Sequence, residues 1–125
     1  MTTIVVGYVP KPEGEAALGR ALEEAALRDA RIVLVSSTRG DHVETDVDAA
    51  RARLEAAGVD HEVRVSTSAF DPAEDLLAIA EEVGADLIVI GLRRRTPVGK
   101  LLLGSNAQRI LLDAHAPVLA VKVGS

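Results

Sequence analysis

Apolar, mostly β-branched residues occur in five short runs along the chain. Continuously apolar runs are typical of strands that are buried on both faces of a parallel sheet. The third run alternates instead, with Val63 and Val65 between Glu62 and Arg64, which indicates an edge strand with one solvated face. We therefore predict five strands: Thr3–Val9, Arg31–Thr38, His61–Thr67, Asp86–Gly91 and Val118–Val123.

Between these runs, apolar residues recur every three or four positions, which predicts amphipathic helices. Asp71 with Glu74, and Ser105 with Gln108, have the form of capping boxes at two helix starts. Gly58 follows another helix, where a left-handed residue is often needed. The predicted helices are 14–28, Thr45–Ala57, Asp71–Gly84 and Gly104–Ala114.

Strands that alternate with helices predict an α/β fold, in which helices cover both faces of a mostly parallel sheet. The chain has 125 residues and no composition shift or linker, so we predict a single domain over residues 1–125. Ligands of such sheets bind beyond the carboxyl ends of the strands, where the strand order reverses. The fold therefore predicts where a site lies but not its chemistry.

The composition argues against several classes of function. Aromatic residues make up 2% of the chain, and the net charge is −5, so a nucleic-acid partner is disfavoured. The absence of cysteine rules out thiolate metal sites and cysteine nucleophiles. The three histidines are scattered and have no metal-site spacing. No apolar run approaches the ~20 residues of a membrane span, and the first segment lacks signal-peptide features. We expect a cytoplasmic protein without a membrane partner.

Charge is concentrated in residues 92–109, which carry +5 and contain no Asp or Glu. The helix that begins near Ser105 lacks the acidic residues found near the other helix starts, so its positive dipole end faces a cationic loop. This combination suits an anion such as phosphate. A solvated basic connection with Ser105 as a simple cap remains an equal alternative. A Walker-type loop is excluded, because seven residues separate Gly91 from Gly99 and Leu101 stands where a hydroxyl is required.

The segments "IVVG", "DLIVIG", "GS" before the last helix and "PVLAVK" resemble the universal stress protein family over nearly the whole chain. Nucleotide-binding members carry Gly, two residues, Gly, nine residues, then Gly-Ser/Thr. Gly91 and Gly104-Ser105 match the outer positions, whereas Arg94 replaces the middle glycine. Val9 stands at the position of the family's usual Asp, and Ala107 lacks a hydroxyl that such members often have.

The resemblance implies an adenine-nucleotide site, with ATP and Mg²⁺ as the candidate cofactors. Phosphates would be held near the basic loop and the last helix, and the first two strand ends would flank the base. The implied residues are Val9, Pro10, Ser37, Thr38, Gly91, Arg93, Arg94, Gly104, Ser105 and Asn106.

We expect a sheet of order 3-2-1-4-5 in a stress-response protein that binds an adenine nucleotide. The resemblance also implies a homodimer formed through the last strand, Val118–Val123, and a signalling partner that the sequence does not identify. The alternative is a dimeric adaptor that binds no nucleotide. We find no general base or nucleophile arrangement, so any ATP hydrolysis would be incidental.

Overall fold

The computed structural model describes residues 1–36, 43–65, 71–93 and 103–123. Over these residues the predicted alternation of strands and helices is confirmed. The strands are β1 (Thr3–Tyr8), β2 (Arg31–Ser36), β3 (His61–Val65), β4 (Leu87–Leu92) and β5 (Val118–Lys122). The helices are α1 (Pro12–Arg28), α2 (Val43–Ala56), α3 (Pro72–Glu82) and α4 (Ser105–Asp113).

The five strands form one parallel sheet of order β3-β2-β1-β4-β5, as predicted. β1 lies at its centre, where Val5 is in register with Val33 of β2 and with Ile88 of β4. The chain moves outward from β1 first through β2 and β3, and then on the other side through β4 and β5. The strand order therefore reverses between β1 and β4.

Alternate residues of the central strands supply two hydrophobic cores, one on each face of the sheet. On one face, residues such as Ile4 and Val6 pack with buried alanines and leucines of α1 and α2. On the other face, Val5, Ile88 and Ile90 pack with α3 and α4. The expectation of helices on both faces is confirmed.

Several predicted boundaries shift by one or two residues. α1 begins at Pro12 instead of residue 14, because proline suits the first helical position. β1 ends at Tyr8, since the Val9 carbonyl accepts a hydrogen bond from the Lys11 N–H at 2.8 Å and turns the chain. Gly58 has a φ of 68°, which confirms the left-handed residue expected after α2.

The start of α1 is tied to both of its neighbours by polar contacts. The buried Tyr8 hydroxyl donates a hydrogen bond to Glu15 at 2.5 Å, and the other Glu15 carboxylate oxygen pairs with Arg53 of α2. These contacts link β1, α1 and α2, so the connection Val9–Lys11 is held at both ends.

Two glycines allow the backbone of this connection to pack closely. A Cβ on Gly14 would lie 1.7 Å from the Val9 carbonyl oxygen, and a Cβ on Gly91 would lie 1.9 Å from the Glu13 carbonyl oxygen. Both obstructions are backbone atoms that cannot rotate away. The first turn of α1 can therefore lie against Val9 and against the end of β4 only if both positions lack a side chain.

We expect Gly14→Ala to destabilise the protein by roughly 1–3 kcal/mol, as overpacking of a tight core does. Gly19→Ala, on the same helix, is the matched control, because its Cβ would lie 3.5 Å from the flexible end of Arg53. That variant should stabilise the protein by up to about 1 kcal/mol, through the higher helix propensity of alanine. Urea unfolding of both variants measures the difference, and equal stabilities would contradict the close contact.

Candidate functional site

A crevice opens at the carboxyl ends of β1 and β4, the position at which ligands bind in open α/β sheets. It is bounded by the β1–α1 connection, the first turn of α3 and the first turn of α4. It consists of two adjoining chambers that differ in chemistry. We call them the deep chamber and the outer chamber.

The deep chamber has a volume of about 150 Å³ and lies over the face of the sheet that α3 and α4 cover. Its walls are mainly apolar and come from the ends of three strands and from both helices. The apolar side chains that form it are Val35, Leu76, Ile90 and Ile110. Such a chamber can hold a flat, weakly polar group but offers little to a charged one.

The outer chamber has a volume of about 280 Å³ and is polar and cationic. Lys11 approaches from the β1–α1 connection and Arg93 from the end of β4. Neither side chain forms an ion pair with any residue that the structure describes. The chamber also includes the first turn of α4, which contains no acidic residue. Cations together with an unopposed helix N-terminus favour an anionic ligand.

The predicted capping box at the start of α4 is wrong. Gly104 is the N-cap, Ser105 is the first helical residue, and no side chain caps the helix. Gln108 donates from its side-chain amide to the Leu103 carbonyl at 3.0 Å instead. Because Ser105 is already inside the helix, its hydroxyl does not stabilise the helix start as a cap. The predicted cap at Asp71 is confirmed, since its carboxylate accepts from the Glu74 N–H at 3.1 Å.

Arg109 has a structural role although it belongs to the same basic stretch of sequence. Its guanidinium pairs with Asp71 at the start of α3, and it lies 3.6 Å from Glu74 and 3.7 Å from Asp113. These contacts join α4 to the N-terminus of α3, and both helices form walls of the crevice. Arg109 is therefore engaged by carboxylates, in contrast to Arg93.

The pKa of Asp71 lies below its ordinary value. The main cause is the hydrogen bond from the Glu74 N–H, and the pairing with Arg109 acts in the same direction. The pKa of Arg109 is correspondingly raised by its hydrogen bond to Asp71. Both shifts favour the charged forms that join the two helices.

The structure brings most of the predicted site residues together. Six of them line the outer chamber: Val9, Gly91, Arg93, Gly104, Ser105 and Asn106. Pro10 borders a separate open depression beside Tyr8 and Ala49. Ser37, Thr38 and Arg94 lie outside the described residues. Whether any of these positions binds a ligand stays a prediction.

Gly91 needs no ligand to explain why it is glycine. It lines both chambers, but its contact with the Glu13 backbone already excludes a side chain. The glycine at position 91, which matches a phosphate-binding motif, is therefore also explained by the close packing of α1 on β4. A change at Gly91 would disturb the packing as well as any ligand.

Sequence reasoning missed Lys11, Glu13 and the apolar wall of the deep chamber. Lys11 and Glu13 are close to Val9 in the chain, so attention to the whole connection after the first strand could have found them. The apolar wall gave no separate signal, because Leu76 and Ile110 have the same helical spacing as any core residue.

No group of three or more His, Asp or Glu side chains that could hold a metal ion occurs in the described ranges. Among the same residues, no helix is long and apolar enough to cross a membrane.

Comparison with known proteins identifies the family. The model of the universal stress protein family matches residues 37–122. A universal stress protein from Mycolicibacterium smegmatis is 44% identical over 95% of this chain and 96% of its own length. The chain belongs to the universal stress protein family.

Two solved structures share this fold and were determined with nucleotides. A universal stress protein from Archaeoglobus fulgidus in complex with dAMP is 27% identical, with a TM-score of 0.77 over 98% of both chains. A universal stress protein in complex with cAMP is 28% identical, with the same TM-score and coverage.

We expect Asp71→Asn to remove a pH-dependent contribution to stability while retaining a side chain that can cap α3. Because folding lowers the pKa of Asp71, the contribution is complete above the unfolded value of about 3.9 and is lost as pH falls through the folded value. The difference in unfolding free energy between wild type and variant should therefore shrink on acidification from about pH 5 to about pH 2. Urea titrations across this pH range measure the difference in unfolding free energy.

Asp60→Asn, at an exposed aspartate before β3, is the control for loss of a carboxylate. A difference independent of pH would contradict the assignment.

Proposed function

We propose that the chain is a cytoplasmic regulator that binds an adenine nucleotide in the two chambers and acts as a homodimer. The observation that carries the proposal is that the apolar deep chamber adjoins the cationic outer chamber, where the strand order reverses between β1 and β4. A nucleotide has the same division between an apolar base and anionic phosphates.

The base would enter the deep chamber between Val35, Leu76 and Ile90, where the apolar walls exclude water. The phosphates would lie in the outer chamber, beside Lys11, Arg93 and the first amide groups of α4. Each chamber is smaller than the roughly 300–1,000 Å³ typical of small-molecule sites. A nucleotide would therefore have to occupy both chambers.

The solved complexes with dAMP and cAMP support the choice of ligand, since both proteins exceed 25% identity to this chain over nearly its full length. We expect Mg²⁺, where it takes part, to arrive with a polyphosphate, because Mg²⁺ usually keeps several waters and binds through substrate phosphates.

The alternative, an adaptor that binds no nucleotide, is favoured by one observation. Val9 lines both chambers and offers no polar side chain at the position where the family's usual Asp is expected. The adaptor would keep the fold and the dimer but would show no response to nucleotides.

We expect ATP at about 100 times its Kd to stabilise the protein by ~2.7 kcal/mol, and hence to raise its Tm by several degrees. Ser105→Ala should reduce this shift without lowering the Tm of the free protein, because Ser105 makes no cap hydrogen bond. Lys11→Met combined with Arg93→Met should weaken ATP binding about tenfold or more, through loss of charge-assisted contacts.

Arg51→Met, at an exposed cation of α2 outside both chambers, is the control and should leave ATP binding unchanged. Thermal denaturation and calorimetric titration provide the measurements. No heat and no thermal shift at millimolar ATP, ADP and AMP would refute the nucleotide proposal and favour the adaptor.

The proposed dimer joins the β5 strands of two copies across a two-fold axis. β5 is the last strand of the sheet, and its apolar side chains are only half-buried. α4, the element before it in the chain, exposes 82% of Leu112. An apolar edge strand is an aggregation hazard unless it is paired or covered, and pairing with a second copy removes that edge.

Ala120→Pro should convert the dimer to a monomer. The Val123 N–H donates to the Leu92 carbonyl, and backbone groups alternate along a strand, so the Ala120 N–H faces the free edge. Proline there removes a donor from the dimer contact and none from the pairing with β4. Ala120→Ser keeps the N–H and is the matched control. Light scattering after size-exclusion chromatography measures the mass. A Pro variant that remains dimeric, or a wild-type monomer, would contradict this interface.

A further inference from the structure

Glu13 lies at the junction of the two chambers. Val9, Glu13, Gly91, Asn106 and Ala107 line both of them. Within this shared set, only Glu13 and Asn106 have side chains with hydrogen-bonding groups. Asn106 is exposed, whereas Glu13 is half-buried.

A carboxylate at this position is unexpected in a crevice suited to an anion. Glu13 is the one acidic residue among the described residues that line the two chambers. It forms no ion pair or side-chain hydrogen bond with the residues that the structure describes. Glu15, two positions further along α1, is by contrast engaged by Tyr8 and Arg53. Glu13 therefore has hydrogen-bond acceptors available between the apolar and the cationic chamber.

The position of Glu13 is also well defined. Its backbone carbonyl packs against Gly91, and Pro12 precedes it in the first turn of α1. A side chain attached to a backbone held in this way loses less conformational entropy on binding a ligand than one on a free loop.

We propose that Glu13 binds the ribose hydroxyls of the nucleotide and selects ribonucleotides over deoxyribonucleotides. The inference rests on the proposed nucleotide site. With the base in the deep chamber and the phosphates in the outer one, the sugar lies at the junction. In α/β dinucleotide sites, an Asp or Glu carboxylate accepts a hydrogen bond from the ribose 2′-hydroxyl. Glu13 would thus supply, from the helix, the acceptor that Val9 cannot supply from the loop.

The test compares calorimetric titrations of the protein with AMP, 2′-deoxy-AMP and 3′-deoxy-AMP. We expect the wild type to bind AMP about tenfold more tightly than at least one deoxy analogue, as loss of a hydrogen bond to a charged group implies. In Glu13→Gln, which retains the shape of the side chain, that ratio should fall toward one. Glu23→Gln, an exposed carboxylate on the same helix outside both chambers, should keep the wild-type ratio.

The outcomes distinguish a failure of sugar recognition by Glu13 from a failure of the proposed nucleotide site. If wild type and Glu13→Gln discriminate equally, or if neither discriminates, Glu13 does not recognise the sugar, although the nucleotide site stands. If the wild type binds none of the three ligands, both proposals fail. Thermal denaturation of Glu13→Gln identifies any loss of fold. Glu13→Asp provides a second variant, in which partial recovery of the ratio would support a direct contact.

Discussion

The close packing of the β1–α1 connection against the end of β4 is the contact on which the rest of the site depends. Backbone atoms of Val9 and Glu13 occupy the space that side chains would need at Gly14 and Gly91. This contact brings the first turn of α1 to the point where the strand order reverses. It also divides the crevice, because Val9 and Glu13 line both chambers. One steric constraint therefore sets both the position of α1 and the shape of the site.

Electrostatics then distinguishes the two sides of the crevice. α1 and α3 carry acidic residues in their first turns, which oppose the positive ends of their dipoles, whereas α4 carries none. The N-terminus of α4 is consequently left with Lys11 and Arg93 beside the outer chamber. Among the described residues, Glu13 is the one charged residue that lines the deep chamber, whose other walls come from the ends of central strands and from the core faces of two helices.

Arg93 and Arg109, the two arginines of residues 92–109 that the structure describes, have different roles because of their tertiary contacts. Arg109 is paired with carboxylates at the start of α3 and within α4, and these ion pairs join the two helices that form walls of the crevice. Arg93 has no such partner among the described residues and lies at the rim of the outer chamber. Both contribute equally to the charge of residues 92–109, and nothing in their spacing separates a structural arginine from one available to a ligand.

The sequence by itself determined the order of elements, the parallel sheet and the general location of the crevice. Buried parallel strands are continuously apolar, helices repeat every three or four residues, and both signals are local. The family resemblance, carried by the motif spacing of Gly91 and Gly104-Ser105, also implied six residues that line the outer chamber. Only the tertiary structure decided that Gly104 rather than Ser105 is the N-cap of α4, that Gly91 packs on Glu13, and that Glu13 lies between the chambers. These facts depend on how helices dock at the end of the sheet, and such contacts join residues that are distant along the chain.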